Sequence, residues 1–116
     1  MKKNRYGVAL DRYGYAPSLL QANQYHCWMC GMNDQHLDRH EVFYGPYRKK
    51  SKELGLWVSL CHDRCHLNGV HKHGKKEQHL KQIAQIVAML HYDWDVDQFI
   101  KEFGKNYTDK EIEDAE

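Results

Sequence analysis

Cys27-Trp28-Met29-Cys30 and, after a gap of thirty residues, Cys61-His62-Asp63-Arg64-Cys65-His66 are the stretches whose reading decides the fold. A two-residue knuckle such as Cys27-x2-Cys30 turns both sulfurs to one side, and Gly31 directly after it relaxes the backbone. The second pair is one residue wider, as expected where a strand ends and enters a helix. Two close pairs can deliver four thiolates to one tetrahedral Zn2+, so Cys27, Cys30, Cys61 and Cys65 are predicted to hold a structural zinc. A lone Cys-x2-Cys also fits a redox dithiol, and four buried free thiols are the plainest alternative. No βαβ pattern surrounds Cys27 and Cys30, which weighs against thioredoxin-like chemistry.

Composition frames these pairs. A chain of 116 residues with two prolines and no linker-like stretch reads as one domain, 1–116, whose core is modest unless a metal reinforces it. No apolar run suited to a signal peptide or a membrane span follows the basic start Met1-Lys2-Lys3-Asn4-Arg5, so the expected setting is the cytoplasm, with no membrane partner. There, paired cysteines are more often metal ligands or redox thiols than disulfides. The net charge of +1 hides a gradient: residues 1–85 hold fourteen basic and seven acidic side chains, residues 86–116 three and nine. A basic front of this kind suits a phosphate-bearing partner, although charge runs are commonly just solvated faces.

Three parts follow along the chain. Residues 1–25 carry Tyr6, Tyr13, Tyr15 and Tyr25 without a clean period and read as an irregular arm with one short helix at Ser18 to Asn23. Residues 26–74 hold the cysteines, strand signals at Glu41 to Tyr44 and Leu56 to Leu60, and a turn at Tyr44-Gly45-Pro46; two short strands followed by a helix is the expected core. Residues 75–107 read as C-terminal helices. Leu80, Ile83, Ile86, Val87 and Leu90 form an apolar stripe from Lys76 to His91. Asp95 then caps a final helix, with Gln98 in the capping-box place, Phe99, Ile100 and Phe103 on its buried side and Gly104 at its end. Residues 108–116 read as an acidic tail.

Four of the nine histidines, His40, His62, His66 and His71, fall within or beside the cysteine frame. His66 and His71 are placed to project from a helix start toward the strand bearing His40, which suggests a second, catalytic metal site. His26, His36, His73, His79 and His91 read as surface residues.

Taken together, Cys27-x2-Cys30, Arg39-His40-Glu41-Val42-Phe43-Tyr44-Gly45, Arg48, Ser51, Gly55-Leu56, Leu60-Cys61, Cys65-His66 and Gly69-Val70-His71 resemble the HNH, or His-Me finger, endonucleases. The pattern is most similar to a small HNH-like group often encoded by phages and prophages and related to phage recombination-enhancement nucleases. The closing segment from Phe99 to Tyr107 is similar to that group's usual C-terminal end, so the resemblance covers roughly residues 26–107. It implies an α+β fold: a small zinc-stabilised, treble-clef-like ββα-metal core with an irregular N-terminal arm and C-terminal helices. It also implies hydrolysis of DNA phosphodiester bonds, with a histidine as general base and a divalent cation, Mg2+ or Mn2+, at the scissile phosphate. His40, Glu41 and His66 are then the catalytic residues, with Glu41, His66 and His71 holding the cation. DNA is the implied partner, beside phage or host recombination and packaging proteins.

The chain departs from the usual HNH pattern in three places. The pair His40-Glu41 can be aligned with either residue as base; the unperturbed pKa values, about 6.5 for histidine and about 4.3 for glutamate, favour His40 as base and Glu41 as ligand. No asparagine stands in residues 55–60, so Ser59 or a backbone carbonyl has to orient the base. The wider Cys61-x3-Cys65 leaves His62 as a possible substitute zinc ligand. Arg48, Lys49, Lys50 and Lys52, the densest basic run, lie between the two strand signals and are expected to track the DNA backbone; a charged, exposed hairpin loop is the plainer reading. The rival function is a non-catalytic zinc-stabilised module that binds DNA or protein.

Overall fold

Strand β1 (Leu37–Glu41) pairs antiparallel with β2 (Trp57–Cys61), and in the computed structural model this ribbon is the frame for everything else. The structure describes residues 2–33, 36–70 and 74–108, the backbone alone at 67–70. A 3-10 turn (Gly45–Tyr47) and helix α1 (Arg48–Glu53) connect the strands. β2 runs directly into a π-helical segment (His62–Val70), and helices α2 (Gly74–Tyr92) and α3 (Val96–Phe103) complete the order. The register, with Leu37 opposite Cys61, Arg39 opposite Ser59 and His40 opposite Val58, sorts the side chains. Partners directly across an antiparallel pair share a face, and neighbours along a strand do not. Arg39, Glu41, Trp57, Ser59 and Cys61 therefore belong to one face, and Asp38, His40, Val58 and Leu60 to the other.

A two-stranded ribbon is marginal alone, so both faces and the free edge of β2 need cover. The N-terminal arm covers the first face and that edge. Trp28 N–H donates to the Ser59 carbonyl at 2.7 Å, Ser59 N–H donates to the Gln21 side chain at 2.8 Å, and Leu19 N–H donates to Gly55 O at 2.8 Å. Gly55 has φ +76°, and a Cβ there would stand 2.5 Å from Pro17 O, so only glycine lets the arm lie this close. Helices α2 and α3 cover the other face. Val42, Phe43, Leu56, Val58 and Leu60 join Leu80, Ala84, Ala88, Phe99 and Phe103 in one buried cluster. Phe43 lies against Phe103 with ring centroids 4.7 Å apart.

Several expectations need correction. The first strand is Leu37–Glu41, not Glu41 to Tyr44: Val42 N–H makes one further bond across, to Leu56 O at 3.0 Å, and Phe43 then joins the buried core. The buried Ser51 hydroxyl takes over, donating to Phe43 O at 2.6 Å and accepting from Phe43 N–H at 3.1 Å. No helix forms at Ser18 to Asn23: the Ser18 hydroxyl accepts from the Leu20 and Gln21 amides and donates to Trp57 O, a turn that competes with helix. On α2 the buried residues are Leu80, Ala84, Gln85 and Ala88, whereas Ile83, Ile86 and Leu90 are exposed. Two alanines let the helix approach the core closely. Gln85 turns inward because its amide donates to Asn106 Oδ1 at 2.8 Å and accepts from Tyr107 N–H at 2.7 Å, fastening the C-terminal segment. Asp95 does cap α3, accepting from Gln98 N–H at 2.8 Å, and Gly104 ends it at φ +82°. The Gln98 side chain bonds Glu102 instead of closing a capping box, and Glu102, not Ile100, is buried on α3.

Glu102 ties three elements together. Its carboxylate meets Arg5 of the arm at 3.0 Å and Lys50 of α1 at 3.3 Å. Burial pushes its carboxyl pKa up, but bonds from Arg5 and Lys50 outweigh that and hold it below the ordinary glutamate range. A depressed carboxylate stabilises the fold above its unfolded pKa, about 4.3, and loses that contribution as pH falls through the lower folded value. Glu102→Gln is expected to cost about 1–3 kcal/mol in urea melts at neutral pH, with the gap to wild type closing in that acid window. Equal midpoints at neutral pH would remove the network from the account of stability.

Candidate metal centre and active-site cleft

The four cysteines converge from two directions. Cys27 and Cys30 come from a tight knuckle in which Cys30 N–H faces Cys27 Sγ at 3.4 Å, Gly31 N–H donates to Cys27 O at 2.8 Å and Gly31 adopts φ +79°. Cys61 and Cys65 come from the end of β2 and the π-helical segment, four residues apart and close to one turn. All four sulfurs lie within 4.8 Å of one another, and Cys30 and Cys61 are 3.9 Å apart. Zinc–sulfur bonds of about 2.3 Å place tetrahedral sulfurs about 3.8 Å from each other, so the cluster fits one Zn2+ with little adjustment. All four are free thiols, three of them buried. Burial and its thiol neighbours push the Cys65 pKa up to about 12, so the cluster reaches its fully ionised form only with a cation to balance it. Arg64 approaches Cys30 Sγ at 3.6 Å, where it offsets the surplus negative charge of a zinc tetrathiolate. The chain is thus a small ββα-type module with a four-cysteine cluster suited to a structural zinc, and His62 is not part of that cluster.

The same spacing of four acts again one residue along. His62 Nδ1 and His66 Nδ1 both face Asp38 Oδ2, at 2.6 and 2.8 Å, while His36 Nε2 faces Asp38 Oδ1 at 3.0 Å. Burial pushes the Asp38 pKa up, but hydrogen bonds from His66 and His62 outweigh this and keep the carboxyl ionised below the usual aspartate range. An ionised carboxylate only accepts, so both histidines donate to it from Nδ1–H. His40, two residues on along the same strand face, is buried, and its ring lies 5.1 Å from that of His66.

Asp38, His40 and His66 line a cleft of about 450 Å3 together with Glu41 and Arg48. Glu41 reaches it from the other strand face, where its carboxylate accepts from the Tyr15 hydroxyl and pairs with Arg48 at 3.3 Å. Tyr44 closes the far side; burial and its bond to Glu77 push its hydroxyl pKa up to about 12. Arg39 and Tyr15 also line the cleft; Arg39 is bonded to Asp11 at 2.7 Å and stacked over Tyr15 with its guanidinium 4.4 Å from the ring centroid.

Other expected site residues are distributed differently. His71 lies outside the described residues. The Ser59 hydroxyl donates to Gln24 O at 2.7 Å on the face opposite His40, so it does not orient that ring. The basic run is helix α1, not a hairpin loop. Arg48 and Lys49 are exposed, whereas Lys50 pairs with Glu102 and Lys52 sits 4.7 Å from the Tyr15 ring centroid. Asp38 and His36 were not among the expected site residues. Their signal is the alternation His36, Asp38, His40, which only a strand beginning at Leu37 turns into one face.

No helix among the described residues is long and apolar enough to cross a membrane. No protein-family model, no curated protein and no solved structure matches this chain.

Proposed function

We propose that this chain is a metal-dependent DNA endonuclease of the HNH type, a single domain with a treble-clef-like zinc-bound core at residues 26–74 and C-terminal helices at 75–107. The observation that carries the reading is the cleft in which His40 and His66 stand side by side, flanked by two carboxylates, Asp38 and Glu41, and by Arg48. His40 is the general base, taking a proton from the attacking water. Asp38 holds His66 Nδ1–H and so presents His66 Nε2 to the cleft. Asp38, Glu41 and His66, with His71 in addition, are the donors for Mg2+ or Mn2+, whose role is to neutralise charge at the scissile phosphate. Two carboxylates and one imidazole suit such a hard cation, which prefers oxygen ligands.

Exposed Arg48 and Lys49 contact the phosphate backbone, with Lys50 and Lys52 adding positive potential behind them. The biological setting that fits best is processing of phage or prophage DNA in a bacterial cytoplasm, beside recombination or packaging proteins. Incubating purified protein with supercoiled plasmid and with single-stranded DNA tests the activity. Nicking or shortening is expected in Mg2+ or Mn2+ and not in EDTA. Binding without cleavage under every metal would make the chain a non-catalytic DNA-binding module instead.

A further inference from the structure

We propose that His36, Asp38 and His62 form a second, solvent-accessible binding site for a divalent transition-metal ion, separate from the four-cysteine cluster. One ligand atom from each of the three lies within 4.8 Å of the others. The backbone holds them there. His62 N–H donates to His36 O at 2.8 Å, which extends the β1–β2 pairing by one step and pins the two histidines across from each other at the end of the sheet. Their rings stand 5.3 Å apart at 87°. Asp38, two residues from His36, lies on the same strand face and points its two oxygens at different rings: Oδ1 at His36 Nε2 and Oδ2 at His62 Nδ1.

Two imidazole nitrogens converging on one ionised carboxylate is a donor set for a borderline divalent ion such as Zn2+, Co2+ or Ni2+, rather than for Mg2+. An ion there binds each ring at the nitrogen that now faces Asp38, and the ring proton sits on the other nitrogen. Three protein ligands leave coordination positions open to water, unlike the closed thiolate cluster. The side chains of His36 and His62 are 74% and 46% exposed, so the ion exchanges with solvent. Asp38 Oδ2 is also the acceptor for His66 Nδ1–H. An ion at His36 and His62 therefore competes with His66 for that oxygen; if the nuclease reading holds, this makes the site inhibitory, but the binding does not depend on that reading.

The test is a Co2+ titration of protein carrying one equivalent of Zn2+, followed by visible absorption. A second equivalent is expected, with weak d–d bands and no sulfur-to-cobalt charge-transfer band; that band would report exchange into the cysteines. His36→Gln and His62→Gln should each weaken this binding by more than about tenfold, while His66→Gln retains it. The proposal is overturned if wild type takes up no Co2+ beside its zinc below about 1 mM, a bound set by the ordinary affinity scale. It is overturned equally if both glutamine variants bind as wild type does, or if binding is lost in His66→Gln alone, which would place the ion in the cleft. Since no DNA is present, loss of this site and absence of nuclease activity are read separately.

Discussion

His40→Ala is expected to lower Mg2+-dependent cleavage of supercoiled plasmid by about 10²- to 10⁴-fold, the usual contribution of a positioned general base. Zinc content should stay at one equivalent. The large effect follows from location: His40 is the imidazole on the Asp38 face that is buried at the bottom of the cleft, and its ring lies 5.1 Å from His66. Because truncating a buried ring leaves a cavity, the same assay is run on His40→Gln, which keeps most of the volume but cannot take up the proton. Near-UV circular dichroism and zinc stoichiometry identify any loss caused by unfolding. Cleavage within tenfold of wild type by a folded, zinc-loaded His40→Gln protein would move the base elsewhere, with Glu41 the first residue to examine.

Cys27→Ser should abolish zinc binding and, with it, cooperative unfolding. Cys27 is buried at the base of the knuckle, and burial raises its thiol pKa while backbone amides from Cys30, Cys61 and Met29 more than offset this and lower it. Those amides favour its thiolate form, the form that binds the metal. Structural zinc in zinc-finger peptides contributes an apparent 10–16 kcal/mol, about the whole stability of an ordinary domain. The aromatic core around Phe43 survives partially at best without it, since β2 and the arm meet at this cluster. A thermal melt with no sigmoidal transition is expected for Cys27→Ser and for wild type after prolonged chelation. Cys30→Ser, at the exposed corner, should retain weaker zinc binding and a lowered but cooperative transition. If Cys27→Ser melts cooperatively within a few degrees of wild type, the cluster is not what holds the fold.

How much of this was legible in the chain varied with the range of the forces involved. The four cysteines could be assigned to one cluster because ligand spacing is a local, geometric demand. Asp95 and Gly104 could be read as the ends of α3 because capping and a left-handed terminus depend on a few neighbouring residues. The first strand was displaced because β-branched and aromatic side chains at Val42 and Phe43 look like strand while serving as core plugs. That displacement hid Asp38 and His36, since one-face alternation has meaning only in the right register. The stripe on α2 failed for a related reason. Periodicity marks a helix, but which arc faces inward was settled by Ala84 and Ala88 admitting close approach and by Gln85 bonding Asn106 and Tyr107.

The sequence by itself determined that two cysteine pairs frame a pair of strands, that helices follow, and that histidines crowd the same frame. Only the tertiary structure decided which groups meet: the register that puts His36, Asp38 and His40 on one face, and the π-helical segment that brings Cys65 to join Cys61 of β2 in the cluster while His62 and His66 turn to Asp38. The physical reason is that covalent spacing limits ligand geometry within a few residues. Facing partners are set by sheet register, helix rotation and long-range hydrogen bonds, which depend on the whole chain.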